Sequence, residues 1–517
     1  MRKTTRNIES FCGFRNGENM KSETGLSGVI DRREFVRAVG LSAASLVLPG
    51  CAGSTELTAG GASLDRPNIT FIMADDLGYG HLGCYGQEKI QTPNLDRMAA
   101  EGTKFTQVYA GHCVCAPSRS VLMTGRHTGH TSVRVNGGGS PLLPEDITVA
   151  EVLKEAGYAT GIFGKWGLGD HGTAGVPYKQ GFDEFYGYLH QVHAHFYYPW
   201  FLWRNDQKHV LSENENEQRQ QYSHDLIADE SLDFIRRHRE GPFFLYVPFT
   251  IPHFELLVPE DSLNEYQGEF PEPTPYVDSR RHYADQSAPR TTLAAMITRM
   301  DRDVGRIFTL LKQLKIDEKT IVFFTSDNGG YRLARPGEPD FFRGNALLRG
   351  GKGTFYEGGL RVPMIVRWPG KVAPGATDDF VWAFWDVMPT LAELARSKAP
   401  PGLDGISVAP RLLGKPQKQP DRFLYWEKLP RDKGGTPPWS QAVRWGKWKA
   451  LRLKPHLPLE LYDLGTDVGE KNNIADGHPD VIKDIEDYLK TARTISRTYP
   501  PQEPSWGYDR LDTGYVK

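Results

Sequence analysis

Between His112 and His130 the chain reads HCVCAPSRSVLMTGRHTGH, with Cys113 and Cys115 one residue apart and Pro117, Ser118 and Arg119 directly behind them. A bland core segment has no need of a thiol set just ahead of a proline of fixed φ and a cation. Other stretches carry the residues of a reaction centre. Asp75 and Asp76 close the apolar run PNITFIMA, and Asp327 and Asn328 follow TIVFFTS. A lone Asp-Asp or Asp-Asn is commonly a turn or a helix cap. Two such pairs, each at the end of an apolar run, make an oxygen-rich set, and hard oxygen ligands suit Ca²⁺ or Mg²⁺ rather than zinc. Lys165 in GKWGLG and Lys352 in GGKGTFYEGGLRVP lie in glycine-rich turns, where a backbone can come close to a small anion. His253, in TIPHFE, is a residue whose pKa near neutrality suits proton transfer.

These groups need a scaffold, and the pattern around them supplies one. PNITFIMADDLG, ATGIFGKWG, PFFLYVPFTIPHF, TIVFFTSDNGG and VPMIVRWPG read as buried strands. Helical patterns such as TVAEVLKEAG and TTLAAMITRMDRDVGRIFTLLKQL stand between them. Apolar strands alternating with amphipathic helices predict an α/β fold, a large and mostly parallel sheet covered on both faces. In such sheets chemistry gathers beyond the carboxyl ends of the strands. Past residue 400 the pattern changes. FLYWEK, SQAVRWGKWKALRL and LELYDLG read as short antiparallel strands followed by a helix, PDVIKDIEDYLKTARTI. The expected division is therefore a catalytic domain over 66–400 and a smaller α+β subdomain with an antiparallel sheet over 401–517.

The 517 residues are 39% hydrophobic and 24% charged, with a net charge of −2, which is ordinary for a globular protein and leaves no basic footprint for nucleic acid. Five cysteines are too few for a disulfide scaffold, and no apolar run reaches the roughly 18 residues of a membrane span. The N-terminus is distinct. Arg32 and Arg33 precede Phe35, a mild apolar stretch and Leu48-Pro49-Gly50-Cys51. This resembles a bacterial twin-arginine export signal ending in a lipoprotein box, with Cys51 as the acylated residue. Residues 1–51 are thus expected to be a leader and 52–65 a flexible tether, placing the protein in the periplasm or on the cell surface, with a lipid anchor as its only membrane contact.

Cys115-Ala116-Pro117-Ser118-Arg119 followed by SVLMTGR matches C-x-P-S-R-x-x-x-x-T-G, and on this motif the chain is identified as a member of the sulfatase family. The resemblance runs from about Arg66 to Asn473, closing on LDGIS and LYDLGTDVGEKNNIA. It implies an alkaline-phosphatase-like fold and hydrolysis of a sulfated carbohydrate or aryl sulfate. It also implies that a maturation enzyme oxidises Cys115 to Cα-formylglycine while Cys113 remains a thiol. The hydrated aldehyde has two hydroxyls, so the sulfate taken up by one can be expelled by collapse back to the aldehyde. The same resemblance makes Asp75, Asp76, Asp327, Asn328 and the Cys115 group the metal ligands, with calcium the expected ion ahead of magnesium. It gives Arg119, Lys165 and Lys352 the sulfate charge and His253 the leaving alcohol. Glu357 and Arg361 read as a structural pair.

One position departs from the family. G-K-W-H-L-G has a histidine where this chain has Gly167, and that histidine is a candidate base for releasing the sulfate. Downstream, YLHQVHAHFYYPWFLWRN offers His190, His193 and His195. His193 and His195 are the expected substitutes, with pocket lining or surface as the alternative. Tyr197, Tyr198, Trp200 and Trp203 would give stacking faces for a sugar or aryl group, or else core. Two further readings stay open: a phosphonate or phosphate-diester hydrolase of the same superfamily, and a non-catalytic glycan-binding lipoprotein.

Overall fold

The computed structural model describes residues 66–136, 140–278, 282–333, 340–429 and 440–498. Arg32, Arg33, Cys51 and the tether lie outside the described residues. Eleven strands form one sheet: β1 (Asn68–Ala74), β2 (Thr103–Tyr109), β3 (Ala159–Lys165), β4 (Glu184–Tyr188), β5 (Phe201–Arg204), β6 (Gln207–Val210), β7 (Phe243–Pro248), β8 (Thr320–Ser326), β9 (Arg361–Arg367), β10 (Ala376–Asp378) and β11 (Trp382–Ala383). Their order is β10-β2-β9-β8-β1-β7-β3-β4-β5-β6, with β11 also on β2. The central run β8-β1-β7-β3-β4 is parallel throughout. β9 is antiparallel to both neighbours, and so is β5.

The seven residues of β1 are all buried, because successive side chains enter opposite and equally covered faces. Ile69, Phe71 and Met73 pack with Phe105, Trp166 and Phe323. Ile72 and Ala74 pack with Phe163, Val247 and Phe324 on the other side. The covering helices include α1 (Pro93–Glu101), α2 (Cys115–Thr124), α3 (Val149–Glu155), α4 (Ser223–His238), α5 (Pro289–Gln313) and α6 (Val387–Leu394). α3 opens on a capping box, with Thr148 Oγ1 accepting from the Glu151 N–H at 3.2 Å and Glu151 Oε2 accepting from the Thr148 N–H at 2.9 Å. α5 opens with a proline in its first turn, where no intrahelical N–H is missed.

As expected, a second sheet is wholly antiparallel: β12 (Phe423–Lys428), β13 (Ser440–Trp445), β14 (Trp448–Arg452) and β15 (Glu460–Asp463). Val481, Ile485 and Leu489 of α7 (Pro479–Leu489) close its core against Tyr425, Val443 and Leu461.

A buried charge network joins the two sheets. Glu357 Oε1 accepts from Lys449 Nζ of β14 at 2.8 Å, and its other oxygen accepts from Tyr109 Oη of β2 at 2.7 Å. Arg361 lies 3.5 Å away, so the expected Glu357–Arg361 pair is real but is the weaker half of the arrangement. Glu470 shares Lys449 at 3.7 Å and receives the Glu357 N–H at 2.7 Å. Burial alone would raise Glu357, but Lys449, Arg361 and Arg444 outweigh it and hold the carboxyl down at about 2. Glu470 is the loser: burial, reinforced by the charge on Glu357, pushes it up to about 7 despite Lys449.

This disparity gives a pH-dependent prediction. A carboxyl raised from 4.5 to about 7 on folding costs nothing below pH 4.5, and its penalty builds as the pH rises toward 7. Glu470→Gln is therefore expected to stabilise the protein at pH 8, by at most roughly 3 kcal/mol, and to be near neutral at pH 4.5. Thermal melts at the two pH values check this. An equal effect at both would show that Glu470 does not titrate in this window.

Candidate active site

Every residue of the expected constellation except His193 arrives at the carboxyl end of the parallel run or packs against it. Asp75 and Asp76 follow β1, Lys165 ends β3, and Asp327 and Asn328 follow β8. His253 comes from the loop after β7, and Lys352 from the loop between β8 and β9. Asp76 takes a positive φ of 65°, which Asp tolerates, and donates its N–H to Asp327 Oδ1 at 3.1 Å.

The order of residues around Cys115 now has a physical reason. Cys115 is the first residue of α2, whose ten residues are all buried. Pro117 falls in the first turn, where a backbone N–H would have no intrahelical acceptor, so the N–H that proline lacks is not missed. Ala116 donates its N–H to Asn136 Oδ1 at 3.1 Å. Ser118 Oγ receives the Gly111 N–H at 3.0 Å and donates to the Asp327 carbonyl at 2.5 Å, tying the helix to the loop after β8. Arg119 lies one turn beyond Cys115 on the same face. Its Nε and Nη2 donate to Asp327 Oδ2 at 3.1 and 2.8 Å, and its Nη1 donates to the Lys165 carbonyl at 2.7 Å.

The carboxylates and cations interlock. Lys165 Nζ meets Asp75 Oδ2 at 2.6 Å, and Lys352 Nζ meets Asp76 Oδ2 at 2.5 Å. Cys115 Sγ lies 3.4 Å from Asp75 Oδ1 and 3.9 Å from Asp76 Oδ1. His253 Nε2 lies 3.5 Å from Asp76 Oδ2. One donor atom each from Asp75, Asp76, Cys115 and His253 falls within 4.8 Å of the others. Burial, then Asp75, pushes the Cys115 thiol well above its ordinary range, so it is protonated at neutral pH. Burial and the Asp75 charge raise Asp327. Asn328 Nδ2 donates to Asp76 Oδ1 at 2.8 Å, whereas its buried Oδ1 has no hydrogen-bond partner among the described residues. Three crowded carboxylates beside an unused amide oxygen fit a hard divalent cation.

The histidines part company. The His195 ring stacks on His253 with centroids 4.4 Å apart, and its Nδ1 lies 2.8 Å from His282 Nε2. Burial and then Lys165 depress its pKa well below the ordinary value. His193 packs on Phe201 and Tyr188 instead, and burial followed by the charges of His190 and Lys208 lowers it to about 3. The structure does not bring His193 to the constellation. Gly167 has φ +80°, and a Cβ there would lie 2.5 Å from Gln191 Oε1. The space beside residue 167 is thus taken by the glutamine that stands between the histidines.

Tyr197, Tyr198 and Trp203 are buried in the core, and only Trp200 is exposed, at 40%. Tyr197 Oη lies 2.9 Å from the carbonyls of both Thr250 and His253, so this ring braces the His253 loop. The aromatic wall beside the site comes from elsewhere. Phe254 packs edge-on against Tyr276, Tyr283 and Tyr331, and His282 packs on Tyr283. Tyr283 Oη lies 3.5 Å from His195 Nδ1 with its ring centroid 6.1 Å from that of His253, and Tyr331 Oη donates to the Pro252 carbonyl at 2.8 Å, so both rings stand beside the His253 loop. Nothing local in the sequence marks these residues. The buried strands before them were legible, but the loop between β7 and α5 carries no periodicity that says which way it folds.

Comparison with known proteins defines the class. The sulfatase family profile matches residues 67–397, and a profile for the N-sulphoglucosamine sulphohydrolase C-terminal region matches 351–494. The chain belongs to the sulfatase family; it is a sulfuric ester hydrolase of alkaline-phosphatase-like fold. It is 34% identical to human arylsulfatase A, over 88% of this chain and 93% of that one. It is 29% identical to the N-acetylgalactosamine-6-O-sulfatase of Bacteroides thetaiotaomicron, over 87% and 97% of the two chains. Among solved structures, Ps i-CgsB in complex with k-i-k-neocarrahexaose superposes with a TM-score of 0.69 at 29% identity, covering 85% of this chain and 94% of that one. No helix among the described residues is long and apolar enough to cross a membrane.

Proposed function

We propose that the protein hydrolyses sulfate esters of carbohydrates through a formylglycine made from Cys115, with a calcium ion held by Asp75, Asp76, Asp327 and Asn328. The observation that carries this reading is the convergence of Arg119, Lys165, Lys352 and His253 on three buried carboxylates and the head of α2. A protonated, buried thiol is a poor nucleophile, which supports its conversion to another group. Once hydrated, the aldehyde would supply one hydroxyl to attack sulfur and a second for release. A bound divalent cation would lower the pKa of the attacking hydroxyl and hold the ester oxygens.

The remaining steps belong to side chains. Lys165 and Lys352, now paired with carboxylates, would turn to the sulfate oxygens, where negative charge accumulates as the S–O bond breaks. The carboxylates they leave would be neutralised by the metal. Arg119 stays on Asp327 and fixes its orientation. His253 is neutral at rest, because burial and then Lys352 oppose its protonation. An anionic ester between the lysines offsets that field, raises the imidazole pKa and lets the ring carry a proton to the leaving alcohol. His195 stacks on His253 and holds the ring's plane, a positioning role that replaces the one first expected of it.

The wall of Phe254, Tyr276, Tyr283 and Tyr331 suits the face of a sugar ring, and relatives named for N-acetylgalactosamine-6-sulfate chemistry favour a carbohydrate over a simple aryl group. The same proposal includes a maturation enzyme as partner and export with lipidation at Cys51, which fractionation of cells expressing Arg32→Lys/Arg33→Lys tests. For the reaction itself, matured protein is offered sulfated mono- and disaccharides, an aryl sulfate and a phosphodiester side by side, with the Cys115 peptide weighed by mass spectrometry. The expected result is loss of the thiol and fastest release of sulfate from a sulfated sugar. Faster turnover of the phosphodiester, or an unmodified thiol in active enzyme, would overturn the reading.

A further inference from the structure

Gln191 is 2% exposed, yet neither its Oε1 nor its Nε2 has a hydrogen-bond partner among the described residues. A buried carboxamide that surrenders its water for nothing is a standing cost, and such groups are rare unless something else satisfies them. Its surroundings narrow what that could be. Past the ends of β3 and β4 the two chains stay paired, with Trp166 N–H donating to Tyr188 O at 2.9 Å and Gly167 N–H to Leu189 O at 3.1 Å. This extension sets Gln191 against Gly167, two residues beyond Lys165, whose ammonium grips Asp75. Four residues after Gln191 the chain reaches His195, stacked on His253. Along the chain Gln191 thus lies between its approach to Gly167, just past Lys165, and the His195–His253 stack. Because Gly167 lacks a side chain, the space beside it holds the carboxamide alone, with Oε1 2.5 Å from where a Cβ would stand.

We propose that Gln191 is a substrate-binding residue of this centre, whose amide N–H donates to an oxygen of the bound sulfate group. The assignment rests on the sulfatase reading and deepens it. A carboxamide is neither acid nor base at neutral pH, so it contributes binding and orientation and takes no proton. The partner missing from the free protein is then the ester itself, and the cost of the idle amide is recovered when substrate arrives.

Gln191→Met tests this, since methionine nearly matches glutamine in shape and removes both polar atoms. Three readings are expected. The melting temperature of the free variant stays level or rises, because an unsatisfied polar group has been removed. The thermal shift produced by inorganic sulfate, absent any turnover, shrinks at least severalfold. The value of kcat/KM on the best sulfated substrate falls about 10- to 100-fold, in line with loss of a contact to a charged group. A second pair of variants shares the argument. Gly167→His alone should be strained by its φ and by Gln191, whereas Gly167→His/Gln191→Ala should regain only the part of the lost stability that the clash with Gln191 accounts for. A lower melting temperature for Gln191→Met, or an unchanged sulfate shift, overturns the proposal and makes Gln191 structural. Turnover by the wild-type enzyme tests the sulfatase reading separately and is untouched by that outcome.

Discussion

Cys115→Ala is expected to fold and to lose essentially all sulfatase turnover, on the order of 10⁴- to 10⁶-fold, the scale seen when a nucleophile is removed. The fold should survive because the change deletes one small buried atom whose contacts are a 3.4 Å and a 3.9 Å approach to Asp75 and Asp76. Nothing in α2 depends on the thiol. Its first turn is held by Asn136 and Ser118, and Arg119 keeps Asp327. Far-ultraviolet circular dichroism and the melting temperature check the fold, and sulfate release checks the loss. Cys113→Ala is the control. Cys113 Sγ lies 3.8 Å from His112 Nδ1, away from the carboxylates, and its loss should leave turnover nearly intact. If the Cys115 variant kept activity and the Cys113 variant lost it, the assignment of the nucleophile would fall.

Asp327→Ala should have the next largest effect, and it acts twice. Asp327 Oδ2 is the chief counter-charge to a guanidinium that is 1% exposed, and removing one partner of such a buried pair costs about 3–5 kcal/mol. The lower end is expected here, because Arg119 keeps the Lys165 carbonyl and a 3.7 Å approach to Asp75. The second effect is on the metal. Calcium should raise the melting temperature of the wild-type protein, as any ligand selective for the native state does, and that rise should largely vanish in the variant. Asp327→Asn separates the two, since it retains a hydrogen-bond acceptor for Arg119 but loses the charge. A calcium-dependent rise of wild-type size in Asp327→Ala would remove Asp327 from the ligand set.

Much of this centre could be read before any coordinates, for a reason that particular residues make plain. Asp75, Asp76, Asp327 and Asn328 directly follow fully buried strands, so a local pattern of apolar residues ending in carboxylates is enough to find them. The Cys115 segment is a helix start, and its proline, serine and arginine each answer a need within a few residues. What escaped detection depends on pairs distant in sequence. Glu357 meets Lys449 across 92 residues, and nothing near either residue announces the other. Tyr283 reaches the site on a loop without periodicity. Gln191 was passed over because the search at Gly167 was for another histidine, the group that chemistry there would require. The structure instead fills the space with an amide of similar reach and no proton to give.

If Cys115 matures to formylglycine as proposed, the closure of α2 around it would set an order of events in the cell. All ten residues of that helix are inside, and the thiol has no exposed surface. The thiol would be out of reach once α2 has closed, so the proposed maturation enzyme would have to work on a chain that has not yet folded. Folding and modification would then compete on the same polypeptide, and whichever finished first would decide its fate. A molecule that closed early would keep its thiol, correctly shaped and inert. The yield of working enzyme would accordingly be a kinetic quantity, set by how long the segment stays open after synthesis. Slower folding or more maturation enzyme should raise the active fraction with no change in the amount of folded protein.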